Sequence, residues 1–156
     1  MNALVVYDSQ YGNTERIARS IGDAMRRFGQ VQVIRVGEES LDLTGVDALV
    51  IGCPTQGWRP TQAMQTLLQT LTPGRTKGIA IACFDTRFKK PRWLTGSAAS
   101  NMARKLSDAG MTLATPPESF FVAGTEGPLL TGETERAATW ASAFAGAVPR
   151  RPVAQR

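Results

Sequence analysis

A short polar segment, Asp8-Ser9-Gln10-Tyr11-Gly12-Asn13-Thr14, lies between an apolar run and a helical pattern. It has a hydroxyl near each end, a glycine inside, and the start of a helix directly after it. Backbone N–H groups at the start of a helix bind anions, and Ser9 and Thr14 would add hydroxyl donors. Gly12 would let the backbone approach a ligand closely. Because the segment contains no Lys or Arg, it favours a small monophosphate over a polyphosphate held with magnesium.

The same segment matches neither of two common nucleotide-binding motifs. No Gly-Lys-Ser/Thr follows it, as a Walker A loop requires, and the G-x-G-x-x-G pattern is absent. The alternative interpretation is a helix capped by Ser or Asn after a turn, with no ligand. We expect a phosphate site here.

Two later segments contain residues that could bind the rest of a ligand. The first is Cys53-Pro54-Thr55-Gln56-Gly57-Trp58-Arg59-Pro60, in which Trp58 could stack on an aromatic ring or instead pack on the sheet edge. The second is Cys83-Phe84-Asp85-Thr86-Arg87-Phe88, which follows an apolar run.

The composition excludes several kinds of chemistry. The chain has 156 residues and no histidine, so a His-dependent triad, an imidazole base and a His-ligated metal are excluded. The two cysteines, Cys53 and Cys83, are too few for a zinc site or a disulfide scaffold, and we expect two buried thiols rather than a redox pair. No apolar run reaches membrane-spanning length, and the first strand pattern begins at Asn2. We therefore expect no signal peptide and a soluble, cytoplasmic chain.

The positive charge is concentrated in two places. Lys and Arg number 18 against 13 Asp and Glu, a net charge of +5, and three of the arginines lie in the tail after Val148. Four more cations crowd into one segment: Arg87, Lys89, Lys90 and Arg92. Such a patch could bind nucleic acid, but no nucleic-acid fold and no interleaved stacking aromatics accompany it. We expect no nucleic-acid partner.

Strand and helix patterns alternate along the chain. Strands are predicted at 2–7, 31–36, 46–52 and 78–83, and a fifth between Met111 and Val122, kinked at Pro116-Pro117. Helical spacing is predicted over 14–28, around 64–71 and 102–109, and from Ala137 to Phe144. This alternation indicates one α/β domain over 1–148, a three-layer sandwich with a parallel sheet, followed by a disordered basic tail at 149–156. Ligands of such sheets bind beyond the carboxyl ends of the strands, which are followed here by loops 8–14, 53–61 and 84–96.

Ser9-x-Tyr11-Gly12-Asn13-Thr14 resembles the phosphate loop of flavodoxins, and the resemblance extends over essentially the whole chain. It implies a five-stranded parallel sheet in the order 2-1-3-4-5 and FMN as the cofactor. It also implies that residues 9–14 hold the FMN phosphate and that the other two segments frame the isoalloxazine ring. Gly57, which lacks a Cβ, would allow its peptide to turn when flavin N5 is protonated.

The second and third segments depart from the usual flavodoxin pattern. Phe84 stands where many members have glycine, and Phe88 stands where they have tyrosine, with Trp93 a second candidate for the outer stack. Arg59 and the four cations of 87–92 would surround the flavin, where typical flavodoxins are acidic. Since a cation stabilises a developing anion, we expect a less negative potential for the fully reduced flavin.

The sequence therefore predicts an FMN-binding electron carrier that needs no catalytic side chain and docks a redox partner with an acidic face. The cofactor-binding residues are predicted to be Ser9, Gln10, Tyr11, Gly12, Asn13, Thr14, Pro54, Thr55, Gln56, Gly57, Trp58, Phe84, Asp85, Thr86, Arg87 and Phe88. An FMN reductase that uses NAD(P)H or a quinone is the alternative. A flavin-free regulatory module is a third hypothesis, disfavoured as a phosphoacceptor because the third strand ends without an aspartate.

Overall fold

Five parallel strands form one sheet in the order β2-β1-β3-β4-β5, as the sequence predicted. The computed structural model describes residues 1–150, so most of the predicted tail lies outside the described residues. The strands are β1 (Asn2–Tyr7), β2 (Gln30–Arg35), β3 (Ala48–Pro54), β4 (Ala80–Phe88) and β5 (Glu118–Val122). The helices are α1 (Asn13–Met25), α2 (Gln62–Thr70), α3 (Arg92–Thr95), α4 (Ala98–Asp108) and α5 (Glu133–Ala147), and a short 3₁₀ turn (Arg26–Phe28) follows α1.

Helices cover both faces of the sheet, which explains the continuous apolar runs of its central strands. Along β1, Leu4 and Val6 point to the face covered by α2 and α4, and Val5 and Tyr7 point to the face covered by α1 and α5. The core therefore has two layers, one on each side of the sheet. None of the helices within residues 1–150 has the length and apolar character to span a membrane.

The second and third strands lie within two residues of their predicted bounds, whereas the fourth and fifth differ more. The fourth strand continues past Cys83 to Phe88, because residues 85–88, three of which are polar, pair with 119–122 of β5. β5 begins at Glu118, directly after the two prolines, and only Leu113 pairs with the sheet before them. Proline cannot donate a ladder hydrogen bond, so the predicted kink is a break in the strand.

Both cysteines are free thiols buried on the α2 and α4 side of the sheet. Burial raises the pKa of Cys53 to about 12 and raises that of Cys83 as well. Both groups are therefore neutral at physiological pH and behave as small apolar side chains.

Gly52 on β3 makes room for a buried aromatic ring at the centre of the sheet. Its register partner on β4 is Phe84, and a Cβ built on Gly52 would lie 2.1 Å from Phe84 Cε1. Phe84 is fully buried and packs edge-on against Phe120 and Trp140, with ring centroids 6.1 and 6.4 Å away.

We expect Gly52→Ala to lower the free energy of unfolding by about 1–3 kcal/mol, since the added methyl would force Phe84 out of its packed position. Urea denaturation measures the effect. The matched control is Gly74→Ala, at an exposed position where the nearest atom to a new Cβ is 3.9 Å away. Equal effects of the two substitutions would contradict the proposed packing constraint.

Candidate functional site

The segment between β1 and α1 forms a loop rich in unused backbone donors. Gly12 adopts a left-handed conformation with φ of 91° and places the start of α1 at Asn13, and no side chain caps the helix. The Gly12 N–H donates to Ser9 Oγ over 3.1 Å. Within residues 1–150, the N–H groups of Gln10, Tyr11, Asn13, Thr14 and Glu15 have no hydrogen-bond acceptor. Five free donors at a helix N-terminus suit an anion.

A cation outside the three predicted segments contacts this loop. Arg35, the last residue of β2, donates to the carbonyl oxygen of Ser9, and its guanidinium lies 3.8 Å from Asp8 Oδ1. The register pairs Arg35 with Tyr7, so the end of β2 lies beside the loop. The strand order alone would have indicated this neighbour, because β2 is adjacent to β1.

The loop is also tied to β4. Thr14 Oγ1 and Thr86 Oγ1 share a buried hydrogen bond of 2.7 Å. The two hydroxyls lie 72 positions apart in the chain and join the first and third predicted segments.

The second segment forms a two-residue hairpin turn. Gln56 and Arg59 exchange backbone hydrogen bonds of 2.8 and 3.0 Å, and Gly57 and Trp58 between them have φ of 51° and 75°. Two positive φ values are typical of a type I′ turn, in which tryptophan is an unusual residue. Gly96 packs closely against this turn, because a Cβ built on Gly96 would lie only 2.6 Å from Trp58 Cα. The Gln56 side chain donates to Gln10 Oε1 over 2.7 Å, which links the turn to the first loop.

One cavity of about 420 Å³ lies between these segments at the carboxyl edge of the sheet. Thirteen of the sixteen predicted residues line it: Ser9, Gln10, Tyr11, Asn13, Thr14, Pro54, Thr55, Gln56, Gly57, Trp58, Thr86, Arg87 and Phe88. Five further lining residues were not predicted, namely Lys90, Leu94, Thr95, Val122 and Thr125. They come from the turn after β4, from α3, from the end of β5 and from the loop after it, and no motif marks them.

Three predicted residues do not line the cavity. Gly12 contributes its conformation within the first loop, and Phe84 belongs to the core between the sheet and α5. Asp85 is buried on the opposite face of the sheet from Phe84, because neighbouring strand residues point to opposite sides. The two aromatic candidates for an outer stack also separate: Phe88 lines the cavity, whereas Trp93 lies outside it and is 72% exposed.

The Asp85 carboxylate is instead the centre of a buried hydrogen-bond network. Its Oδ2 accepts from Ser97 Oγ over 2.6 Å, from the Ala99 N–H over 3.0 Å and from Thr55 Oγ1 over 3.3 Å. Thr55 Oγ1 in turn accepts from the Ala98 N–H over 3.0 Å. Asp85 therefore joins the N-terminus of α4 to the loop that carries the Trp58 turn.

Burial raises the pKa of Asp85 above its usual value, although the hydrogen bonds from Ser97 and Ala99 and the nearby Arg87 oppose the shift. A carboxyl with a raised pKa in the folded state stabilises the protein less as the pH rises through that pKa. The stability contributed at this position is therefore largest at acidic pH.

We expect the free energy of unfolding of the native chain to fall relative to that of Asp85→Asn as the pH rises from about 4, the ordinary pKa of an aspartic acid, through the raised pKa of the folded state. A 10-fold difference in proton affinity between the folded and the unfolded chain corresponds to about 1.4 kcal/mol. Asparagine keeps the shape of the side chain and cannot ionise. Denaturant titrations of both proteins across this range measure the difference, and Asp108→Asn at an exposed position controls for the loss of a carboxylate. A difference that changes with pH in the opposite direction would contradict the raised pKa.

A model of the flavodoxin domain family matches residues 4–122. The fold resembles a flavodoxin from the domain Archaea, with 24% identity, a TM-score of 0.77, and coverage of 94% of this chain and 97% of that one. Flavodoxin 1 from Bacillus cereus is 18% identical, with a TM-score of 0.75 and coverage of 96% and 100%. Rubredoxin oxygen:oxidoreductase from Desulfovibrio gigas is 18% identical, with a TM-score of 0.73, and the match covers 94% of this chain and 35% of that one.

A comparison with curated proteins finds no match. The family model covers most of the chain, and the sheet order and the loops at its carboxyl edge agree with it. The chain thus belongs to the flavodoxin domain family of FMN-binding electron carriers.

Proposed function

We propose that this protein carries electrons between redox partners with FMN bound in the 420 Å³ cavity. The observation that carries the proposal is the loop of five free N–H groups around Gly12, which supplies neutral donors for a monophosphate. The wall residues Trp58 and Phe88 are aromatic, and the polar side chains of Thr55, Gln56 and Thr86 face the same cavity. These residues fit FMN.

Each segment has its own role in this proposal. Residues 9–14 hold the phosphate, and Arg35 stabilises the loop through the Ser9 carbonyl oxygen. Trp58 and Phe88 cover the ring system, and the hydrogen bond between Thr14 Oγ1 and Thr86 Oγ1 ties the phosphate loop to β4. When bound, FMN supplies the electron-transfer chemistry, and the chain positions the cofactor and excludes water from it.

We expect Thr14→Val to weaken FMN binding roughly 10-fold or more, because a hydrogen bond to a charged group contributes about 1.5–3 kcal/mol. Riboflavin, which lacks the phosphate, should bind both proteins equally. Flavin fluorescence titration measures both affinities. The matched control is Thr134→Val, since Thr134 occupies the same place in α5 after a left-handed glycine, Gly132, and lies outside the cavity.

The result that would overturn the proposal is a native chain that binds FMN and riboflavin with the same affinity, or neither of them. The free N–H groups would then belong to another anion.

A reductase that uses NAD(P)H or a quinone is the second candidate, and the observation that favours it is Lys90 on the cavity wall, which could attract an anionic reductant. Anaerobic addition of NADPH to the FMN-loaded protein distinguishes the two. A carrier keeps its flavin absorption bands, whereas a reductase loses them without any other protein present.

The rim of the cavity has the properties of a docking surface for an acidic partner protein. Large apolar side chains are exposed there, with Trp58 53% and Trp93 72% accessible. The surrounding cations are Arg59, Lys89, Lys90 and Arg92, and none of them forms a salt bridge within residues 1–150. An apolar centre with a charged rim is typical of protein interfaces, and Trp and Arg often dominate their affinity.

The two free buried thiols fit a reducing compartment, so we propose that the protein is cytoplasmic.

We expect an acidic [2Fe–2S] ferredoxin, used as a probe, to reduce the bound FMN at a rate that falls as salt is added, because opposite charges steer the encounter. Electron transfer to basic cytochrome c should show the opposite salt dependence. Stopped-flow absorbance measures both rates. Lys89→Gln with Arg92→Gln should slow the ferredoxin reaction several-fold at low salt.

The matched control for the docking surface is Arg104→Gln with Lys105→Gln, which removes the same charge from exposed positions on α4 outside the cavity. Equal rates in the two double variants would contradict a docking surface at the cavity rim.

A further inference from the structure

The four cations of residues 87–92 differ in their exposure to solvent. Lys89, Lys90 and Arg92 are exposed, whereas Arg87 is half-buried at the end of β4 and lines the cavity. An exposed charge is screened by water and salt, and a buried charge much less so. The two kinds of cation therefore have different effects on a ligand in the cavity.

The guanidinium of Arg87 contacts β5, the turn at the end of β4, and α3. Its Nε donates to Ser119 Oγ on β5 over 2.9 Å. One terminal nitrogen donates to the carbonyl oxygen of Lys90 over 2.7 Å, to that of Phe88 over 3.3 Å and to Thr95 Oγ1 over 3.3 Å. Its central carbon, Cζ, also lies over the Phe121 ring, 5.1 Å from the ring centre. The rigid fork of arginine suits this arrangement, and lysine would reproduce only part of it.

These bonds hold the segment that forms one wall of the cavity. Phe88, Lys90, Leu94 and Thr95 all line it, and Arg87 bonds to three of these four residues. Without the guanidinium, the turn at 88–91 would retain only a short local hydrogen bond, and α3 would retain its own bonds and the bond from Arg92 to Ser100 Oγ over 3.1 Å. Arg87 thus supplies the side-chain bonds that tie this wall to β5 and to the end of β4.

The charge of Arg87 is not neutralised by a salt bridge within residues 1–150. All of its acceptors are neutral hydroxyls and carbonyls. The nearest buried acid is Asp85, two residues earlier on the same strand, which favours the charged guanidinium, while burial lowers the pKa of Arg87. A guanidinium nevertheless keeps its proton at neutral pH, so a fixed positive charge remains at the cavity wall.

We propose that Arg87 is a positioning residue of this site with two separable effects: its fork clamps residues 88–95 onto the sheet, and its fixed charge stabilises the fully reduced, anionic flavin. The inference rests on the proposed binding of FMN. It attributes the less negative potential expected from the sequence chiefly to this half-buried arginine, because the charge of Lys90, an exposed cation on the same wall, is screened by solvent.

Two substitutions separate the clamp from the charge. Arg87→Gln removes both, whereas Arg87→Lys keeps the charge and loses the fork. Spectroelectrochemical titration of the FMN-loaded proteins should show a potential for the last reduction step that is more negative in Arg87→Gln by about 59 mV, equivalent to a 10-fold change in a one-electron equilibrium. Arg87→Lys should stay closer to the native value. Lys89→Gln, an exposed neighbour, is the matched control and should shift the potential little.

The clamp is tested without flavin. Amide hydrogen exchange of the apoprotein should be faster at Lys90 and Gly96 in both Arg87 variants, because their N–H groups bond only within the clamped segment. Exchange in β1 should not change. Lys89→Gln again provides the control.

The outcomes distinguish this inference from the proposed function. A native chain that does not retain FMN overturns the proposed function, and the exchange experiment still decides the clamp. Retained FMN with equal potentials in Arg87→Gln and Lys89→Gln overturns the assigned charge effect. Unchanged exchange at Lys90 and Gly96 overturns the clamp.

Discussion

The buried Asp85 carboxylate is the interaction on which the arrangement of the site depends. One oxygen accepts hydrogen bonds from Ser97, Ala99 and Thr55, so a single side chain fixes the start of α4 and the loop before the Trp58 turn. A buried carboxylate costs free energy unless several donors satisfy it, and the N-terminus of a helix supplies such donors. The network therefore exists only when β3, β4 and α4 are all in place, which couples the cavity to the fold.

Backbone N–H groups without acceptors in residues 1–150 lie on the other side of the cavity. The loop around Gly12 exposes backbone N–H groups that the folded chain leaves without acceptors, and the Trp58 turn places a large residue at a positive φ. Free N–H groups at the start of a helix form a ready anion site, and a strained backbone such as that of Trp58 is typical of functional sites. Positive charge lies nearby, but it comes from Arg35 at the end of β2, from Arg87 on β4 and from Lys90 after it, rather than from the loop itself.

Most of the architecture could be predicted from the sequence. Apolar runs such as that of β1 and the helical spacing around α1 follow from burial on one or both faces of an element. The end of β4 could not be predicted, because Asp85, Thr86 and Arg87 are polar residues that form a strand only by pairing with β5. Phe84 and Asp85 were expected to contact the ligand. Because both belong to this strand, their side chains point to opposite faces of the sheet and lie away from the cavity.

The sequence by itself determined the alternation of strands and helices and the loops that meet at the carboxyl edge, because periodicity is a local property of the chain. The sheet order and the family followed from the resemblance of the Ser9–Thr14 motif to flavodoxins. Only the tertiary structure decided which residues of those loops face the cavity and which cations stand beside it. Arg35 reaches the first loop, and Thr14 meets Thr86, through strand register. The apolar pattern restricts which face of a strand is buried, but the pairing of two polar residues from distant strand ends becomes visible only once the strands lie side by side.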